Sequence, residues 1–554
     1  MNRFASGALL VILILAALWR FADLDRDPPA VTGEAGSWID PGHYLYNART
    51  RVLFHEWRFE EGSDVFFSQG YTFLATLWFR ILGPGYRQAV LLSTLAGFLI
   101  IAATGLWSWA AIRDRSQLSK VGAGCAAIAS LLLSYVMFAL QHVPKADMES
   151  VAICSTSAAI LAGLDVFESD VSMRWFKYPV IISGLGIGLA PFVKIYSALF
   201  SLACLMAWCV SYFLLDSQWK RIWRRATPFL AVGLAISALV WVSWILWLVR
   251  WRLFGAMAHE FSWVFEMVTP SLVSPRTAAG RGGFAKALVI SRFLQSNLFY
   301  RQPVETVLAT VAACRFLFLK RRNWPLLLAF TWLVVGFFSL SIIEYAPLRF
   351  RTLFLPPAIV LAASMWVELA LGKLERLDTL KTFASCAAAG IVLGYTATYC
   401  LSIRLPWFLN AFAGSRFYVA VSFLGLIAAT SVWLALERLP GKGVASVLAL
   451  AAVLVALPQW WNGEQGRTHE QHNIAERLAS AYPNAVLGGV HGADLALRTK
   501  LDAYLFWTPT AVRRVTLVVD PPSGLRDVPL KLVELERHEL RPIKVTVAIA
   551  LVQR

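Results

Sequence analysis

The sequence predicts an all-α polytopic membrane protein with about 13 transmembrane helices and a small C-terminal α/β domain. Of its 554 residues, 58% are hydrophobic and only 15% are charged, whereas soluble domains average about 45–50% and about 25%. The apolar residues form long blocks along the chain, and the basic residues fall in alternate loops between those blocks. Together these observations exclude a water-soluble protein with one large core, a disordered chain and a coiled-coil rod.

The formal net charge of +17 is expected of a membrane protein, because cytoplasmic loops are rich in Lys and Arg. Six alternate loops are basic, near residues 113–120, 174–177, 220–225, 320–322, 373–381 and 438–442. The segment 23–85 carries more acidic than basic residues, and we place it outside. We therefore expect a multi-pass protein of the bacterial inner (plasma) membrane, with membrane lipids and no nucleic acid as partners.

The first apolar block, 7–21, follows a short basic start and precedes no cleavage pattern, which predicts an uncleaved first helix with a cytoplasmic N-terminus. A bilayer core of about 30 Å needs about 20 apolar residues per helix. Further candidate spans lie at 86–112, 121–141, 149–167, 178–195, 196–215, 227–250, 303–318, 325–343, 352–371, 383–401, 417–436 and 443–460. The resulting odd number of spans places the C-terminal tail on the outer, periplasmic or extracellular, side.

Two predicted domains follow from this topology. Residues 1–460 form the membrane module, with long outer segments at 23–85 and 251–302. The apolar block 70–83 is too short to span the membrane, and counting it as a span would place the basic loops outside. It therefore predicts a helix in the plane of the interface, among the juxtamembrane helices of the first outer segment. Residues 461–554 predict a soluble α/β domain, with a helix at 474–482 and strands at 485–490, 515–520 and 543–552.

Ionisable residues are distributed unevenly in the predicted spans. Transporters usually carry such residues near the bilayer centre, but here the span centres are nearly free of Asp and Glu. The acidic and polar residues gather at the outer ends instead. This distribution favours chemistry or binding at the outer face over a pathway through the membrane.

Two acidic sites lie on that outer face. Asp40 stands ahead of Pro41-Gly42 at a predicted helix start, and Asp147 opens the fourth span. The topology also places Lys194, Arg349 and Arg351 there. A carboxylate can act as a general base, and Arg and Lys bind phosphate. The alternatives remain open that Asp40 only caps its helix and that the basic residues only snorkel to the interface.

The order of these spans and outer segments along the chain resembles the GT-C fold of polyprenyl-phosphate-sugar-dependent glycosyltransferases, in particular the protein O-mannosyltransferase and bacterial aminoarabinose transferase group. The first helix is followed by an acidic outer motif, here Asp40 to Arg49, and then by an aromatic segment along the membrane, here Gly70 to Gly83. Asp147 matches a second outer acid, and Lys194 matches a Lys that ends the fifth span. Two departures are clear. Pro41 replaces the usual Glu, and Ser68-Gln69-Gly70 stands where some members have Glu-Lys-Pro.

The resemblance implies an inverting sugar transfer from a polyprenyl-phosphate donor to a lipid, glycan or protein hydroxyl at the periplasmic face. Asp40 would be the general base, and Asp147 would orient the acceptor or a metal. The other expected site residues are Lys194, Arg349, Arg351 and Tyr345 for the donor phosphate, and Tyr44, Tyr46, Arg49 and Gln69 for the acceptor pocket. The one cofactor that the resemblance implies is a divalent metal ion, for which His259 and Glu266 are candidate ligands.

Two rival functions stay open from the sequence. A lipid-linked saccharide flippase, polymerase or ligase would carry functional charges deep in the spans. A non-catalytic membrane assembly protein would not need a lone Asp beside a basic pocket.

Overall fold

The computed structural model describes residues 14–29, 40–58, 68–112, 116–165, 173–215, 217–250, 302–319, 323–342, 352–372 and 441–553, the last range with gaps at 466, 506, 524, 526–527 and 541–544, and a few positions at 11 and between 381 and 389. Within them the chain is mostly helical, with one small sheet near its C-terminus. This confirms the predicted class at the level of a helical protein with a C-terminal sheet.

Two short helices precede the membrane body, α1 at Asp40–Leu53 and α2 at Gln69–Leu82. Helix α2 has only 14 residues, too few to cross a bilayer. Its buried face includes Tyr71, Ala75 and Phe79, whereas Leu77 and Ile81 are exposed. An exposed apolar face on a short helix suits the membrane interface, as the sequence predicts for this segment.

The helices of the membrane body follow the predicted apolar blocks. They are α3 Tyr86–Ala111, α4 Gln117–Leu133, α5 Tyr135–Gln141, α6 Asp147–Ala162, α7 Met173–Val193, α8 Ala198–Leu214, α9 Ser217–Arg250, α10 Pro303–Phe316, α11 Trp324–Ile342, α12 Leu355–Ala370 and α13 Gly441–Gln465. Their inward faces share one apolar core that runs from α3 to α12.

Five helices of the described residues are long and apolar enough to cross a membrane, and one bent pair would make six. Large side chains on α9 face outward, with Leu239 66% and Leu246 63% exposed. Because soluble proteins rarely expose such apolar surface, we conclude that the chain is a membrane protein. The structure does not confirm the count of about 13 spans, since most of 383–401 and all of 417–436 lie outside the described residues.

The predicted span 121–141 is broken. Helices α4 and α5 meet at a 60° bend, where the buried Arg20 donates to the carbonyl oxygens of Leu131 and Leu132 at 2.8 and 2.7 Å. Its other terminal nitrogen donates to Gln141 Oε1 at 2.6 Å. Arg20 thus binds carbonyl groups at the end of α4, where regular helical hydrogen bonding stops, and the bend turns the chain toward the next loop.

The C-terminal domain contains helices α14 Glu470–Ala481, α15 Val490–Ala496 and α16 Pro509–Arg514, and strands β1 Val486–Gly488, β2 Asp502–Tyr504, β3 Leu517–Asp520, β4 Leu532–Leu540 and β5 Val545–Val552. The strand order is β2-β1-β3-β5-β4. Strand β1 pairs in parallel with β2 and β3, whereas β5 is antiparallel to β3 and β4. The sequence predicts helix α14 and strands β1, β3 and β5, but not β2 and β4.

Buried contacts fix this domain to the membrane body. Arg498 pairs with Asp27 at 3.3 Å, and neither side chain is more than 1% exposed. The Arg498 guanidinium also lies 3.8 Å from the ring centre of Tyr86, and the Tyr86 N–H donates to the carbonyl of Leu497 at 3.0 Å. The domain therefore holds the chain at the start of α3 and in the segment after the first apolar block.

Candidate active site

Asp40 begins α1, which packs between α2 and α15. Pro41 follows it in the first turn, where proline's missing N–H has no helical partner to lose. The Asp40 carboxylate lies 3.4 Å from the ammonium group of Lys145, whose side chain is only 1% exposed. A buried cation beside a carboxylate favours the ionised carboxylate.

Lys145 belongs to the tight loop between α5 and α6 and lies two residues before Asp147. Ala146 takes a left-handed conformation with φ 72°, and Asp147 then begins α6. A left-handed conformation is unfavourable for alanine and is commonly retained at functional sites. The turn thereby brings Lys145 and Asp147 into one buried region.

Asp147 meets the end of α7 and the short 3₁₀ turn after it. The Lys194 ammonium lies 3.8 Å from Asp147 Oδ1, and the Tyr196 hydroxyl donates to the same oxygen at 2.8 Å. Lys194 also donates to the carbonyl of Lys145 at 3.1 Å. Two acid–lysine pairs from three segments of the chain are thus joined by one hydrogen bond.

The second turn of α1 covers these lysines. The Lys194 ammonium lies 3.6 Å from the ring centre of Tyr44, a cation–π contact. Burial lowers the pKa of His43 to about 4, and the Lys194 charge adds to this effect while Asp40 opposes it. His43 is therefore neutral at pH 7 and adds no positive charge beside Lys194.

The start of α2 closes another side of the region. Gly70 lies so near the end of α7 that an added Cβ would be 2.8 Å from the Phe192 ring. Burial raises the pKa of Tyr71 well above its ordinary value, and Glu149 adds to the shift. Asp147 Oδ2, Glu149 Oε2 and Gln69 Oε1 are buried without hydrogen-bond partners. Such atoms are costly unless a bound group or water satisfies them.

Asp40 is the most open member of the two acid–lysine pairs. Its side chain is 18% exposed, against 1% for Lys145, 3% for Lys194 and 2% for Asp147. Of the four, Asp40 is therefore the group that an arriving molecule would meet first. The arrangement offers a carboxylate acceptor at the mouth and buried positive charge behind it.

The described residues do not fit a metal held by protein ligands. Among them, no group of three or more His, Cys, Asp or Glu side chains could hold a metal ion. The carboxylates of Asp40 and Asp147 instead contact the ammonium groups of lysines. The expected ligands His259 and Glu266 lie outside the described residues.

The predicted site residues divide into three groups. Asp40, Tyr44, Asp147 and Lys194 come together, with Gln69 at the adjoining start of α2. Tyr46 and Arg49 lie elsewhere: the Tyr46 hydroxyl donates to Ala503 O at 2.9 Å, and Arg49 donates to Thr499 O at 3.3 Å and to Leu501 O. Both therefore contact the C-terminal domain. Tyr345, Arg349 and Arg351 lie outside the described residues.

Sequence reasoning missed Lys145, Glu149 and Tyr196 as members of the site. A buried lysine two residues before a predicted functional acid is a weak signal, because interfacial lysines are common in membrane proteins. Glu149 lies two residues after Asp147 and therefore about 200° around the helix, so helical spacing gives no reason to expect both side chains in one region. Nothing in the sequence pairs Lys145 with Asp40, which lies 105 residues earlier.

Comparison with known proteins supports the fold. No sequence-family model matches the chain, and no curated protein sequence matches it. The crystal structure of ArnT from Cupriavidus metallidurans in the apo state aligns over 98% of this chain and 98% of that chain, with a TM-score of 0.54 and 16% identity. The same protein bound to undecaprenyl phosphate aligns over 99% and 98%, with a TM-score of 0.53 and 16% identity. The Archaeoglobus fulgidus oligosaccharyltransferase in the apo form aligns over 94% and 70%, with a TM-score of 0.48 and 13% identity. The chain thus shares the fold of ArnT, and the GT-C fold expected from the sequence is confirmed.

Proposed function

We propose that this chain is an integral-membrane glycosyltransferase. It moves a sugar from a polyprenyl-phosphate donor to an acceptor hydroxyl at the outer face, with inversion at the anomeric carbon. Two observations support this function: the fold is shared with ArnT, whose structure is also known with bound undecaprenyl phosphate, and a partly open carboxylate stands before two buried lysines. The contact between Asp40 and Lys145 at 3.4 Å is the observation that carries it.

In this proposal Asp40 accepts the acceptor's proton. The acceptor oxygen attacks the anomeric carbon, the bond from that carbon to the phosphate oxygen breaks, and the polyprenyl phosphate leaves as an anion. The proton passes from the hydroxyl to the Asp40 carboxylate, so charge and atoms balance. A general base in such a position typically contributes about 10²–10⁴-fold. Lys145 holds the carboxylate ionised and oriented before the transfer.

The leaving phosphate is stabilised by positive charge. Lys194 is the described cation for this role, and we propose Arg349, Arg351 and Tyr345 as its partners. Fixed cations in a water-poor site stabilise developing negative charge strongly. The lipid chain of the donor enters sideways from the bilayer, which keeps the reacting phosphate near the interface. Asp147 orients the acceptor, and its unpartnered Oδ2 is the atom available to an acceptor hydroxyl.

The purified protein, incubated with radiolabelled polyprenyl-phosphate sugars, tests this function directly. We expect label to move to an acceptor, and Asp40→Asn to lower kcat by about 10³-fold because the amide cannot take the proton. Donor affinity should stay within about twofold, since the amide keeps the shape of the carboxylate. Glu476→Gln, which neutralises an exposed carboxylate on α14, is the matched control and should leave kcat unchanged.

The same assay separates the rivals. Lipid movement across vesicles without sugar transfer would favour a flippase, and chain growth on the donor lipid would favour a polymerase. Full turnover by the Asp40→Asn enzyme would remove Asp40 from the role of base.

A further inference from the structure

The helix that carries Asp40 is capped from outside its own segment. The first N–H groups of a helix lack partners within it, and a nearby side chain usually accepts from one of them. In α1 the Gly42 N–H donates to Asp494 Oδ1 at 3.1 Å. Asp494 belongs to α15 of the C-terminal domain, 452 residues later.

The two backbones approach unusually closely at this point. A Cβ on residue 42 would lie 2.5 Å from the Asp494 backbone nitrogen and 2.6 Å from its Cα. Any side chain at this position must therefore push α15 away from α1. Since Asp494 is only 1% exposed, the contact excludes water and fixes the depth of α1 against the domain.

The α1 contacts with the domain lie on one face of the helix. At about 100° per residue, Gly42, Tyr46 and Arg49 fall within an arc of roughly 60°, and all three contact the C-terminal domain. Asp40 and Tyr44 fall on the opposite face, toward Lys145 and Lys194, and His43 lies between the two faces. Rotation or withdrawal of one face must therefore move the other.

A second clamp holds the end of this segment. The Arg58 guanidinium donates to both carboxylate oxygens of Asp502 at 2.8 and 3.0 Å, and lies 4.3 Å from the ring centre of Tyr504. Such paired contacts fix orientation as well as distance. The domain thus contacts the first turn of α1 and also the chain just beyond the C-terminal end of α1.

We propose that the C-terminal domain positions the catalytic helix, with Asp494 as the positioning residue that sets the place of Asp40 against Lys145. This proposal rests on the proposed function of Asp40. It assigns the domain a part in the chemical step, independent of any acceptor that the domain itself binds.

Three variants and one control test the proposal in the full-length protein. Asp494→Ala removes the cap, Asp494→Asn keeps an oxygen acceptor, and Gly42→Ala keeps the cap residue but forces the backbones apart. The control is Thr508→Ala, which removes another N-terminal cap in the same domain, the bond from Ala511 N–H to the Thr508 hydroxyl at 3.2 Å. It matches the lost interaction without touching α1.

Two readouts are needed: kcat and KM for the labelled donor, and amide hydrogen exchange across residues 42–53. We expect Asp494→Ala and Gly42→Ala to lower kcat by about 10- to 100-fold, because a misplacement near 1 Å is that costly. The donor KM should stay unchanged, and the first turn of α1 should exchange faster. Asp494→Asn should retain most of the wild-type kcat and most of the wild-type protection of α1 from exchange. Thr508→Ala should change neither kcat nor exchange in α1.

The outcomes distinguish the two proposals. If the wild type transfers no sugar while Asp494→Ala still speeds exchange in α1, the positioning contact stands and the enzymatic function fails. If the wild type is active and Asp494→Ala changes neither kcat nor exchange in α1, the positioning proposal is overturned. It is also overturned if Thr508→Ala lowers kcat as far as Asp494→Ala, since general destabilisation of the domain would then account for the loss.

Discussion

At the residue scale, the Asp40 and Asp147 carboxylates of the candidate site each contact a lysine. Lys145 and Asp40 are 3.4 Å apart, and Lys194 and Asp147 are 3.8 Å apart. Removing one partner of a buried pair leaves an uncompensated charge, which costs more than the pair itself contributes. The contribution of each pair to stability is therefore obtained only by comparing the single variants with the double variant.

A double-mutant cycle on Asp40 and Lys145 tests this pair without an activity assay. We expect Lys145→Met to destabilise the detergent-solubilised protein by about 2–4 kcal/mol, because it leaves the Asp40 carboxylate without its cation. Adding Asp40→Asn to that variant should recover about 1–3 kcal/mol of the loss. Thermal or denaturant unfolding measures both quantities. Lys531→Met, at an exposed position, should change stability by no more than about 0.5 kcal/mol. Additive effects of Lys145→Met and Asp40→Asn would mean that the two groups do not interact.

At the element scale, α1 packs between two regions that carry different charged groups. Its membrane side meets lysines, whereas its domain side meets the buried Asp494 carboxyl. Burial raises the pKa of Asp494 to about 7, an effect that the charges of Asp27 and Asp40 reinforce and that Arg498 and the Gly42 N–H oppose. The contact between α1 and α15 therefore depends on pH in the physiological range.

The sign of this dependence follows from linkage. The Asp494 carboxyl binds its proton more tightly in the folded protein than in the unfolded chain, where its pKa is near 3.8. Its contribution is thus complete below about pH 4 and is lost as the pH rises to about 7. We expect the wild-type domain to lose on the order of a few kcal/mol relative to Asp494→Asn across this window. Hydrogen exchange of β1 and β3 amides, with both proteins compared at each pH, measures the difference. A difference that is constant with pH would contradict the expectation.

Some of the elements could be predicted from the sequence alone, and others could not. Helix α3 matches its predicted block within one residue, because a helix long enough to cross a membrane is recorded in its own run of apolar residues. The bend before Tyr135 could not be predicted, since it depends on Arg20 more than 100 residues earlier. Strand β4 has a mixed charged sequence and lies at the sheet edge, where the usual alternation is weak.

The candidate site likewise contains residues that the sequence predicts and residues that it does not. The topology predicts that Asp40, Asp147 and Lys194 share one face, and the structure brings them into one buried region. Asp494 could not be found from sequence, because its partner is a backbone N–H rather than a recognisable side chain. Tyr46 was expected in the acceptor pocket, yet its hydroxyl contacts the C-terminal domain. The rotation of α1 about its own axis decides whether Tyr46 faces the acceptor pocket or the C-terminal domain. No sequence pattern fixes that rotation.

At the scale of the whole molecule, the enzymatic proposal requires that the C-terminal domain and residues 344–351 share one side of the membrane. The domain is on the side of Asp40, because Asp494 contacts Gly42 and Arg498 contacts Asp27 directly. Residues 344–351 are assigned to that side by the alternation of basic loops, which predicts orientation through the excess of cytoplasmic Lys and Arg. The side of the domain thus follows from contacts and the side of residues 344–351 from charge, so the two assignments are independent.

Cysteine labelling from each side of the membrane tests whether they agree. Single cysteines are introduced at Ser523, exposed in the C-terminal domain, at Gln218, exposed at the start of α9, and at Arg349. We expect a membrane-impermeant maleimide to label the first and third sites from outside in intact cells, and Gln218→Cys only after the cells are opened, because the charge pattern predicts that the basic loop beside it is cytoplasmic. The seven native cysteines are replaced beforehand, which leaves one thiol per protein. Labelling of Arg349→Cys only in opened cells would place that arginine across the bilayer from Asp40. No rearrangement within one membrane face could then bring Arg349 to the donor phosphate, and Lys194 would be left as the described cation to balance the leaving group.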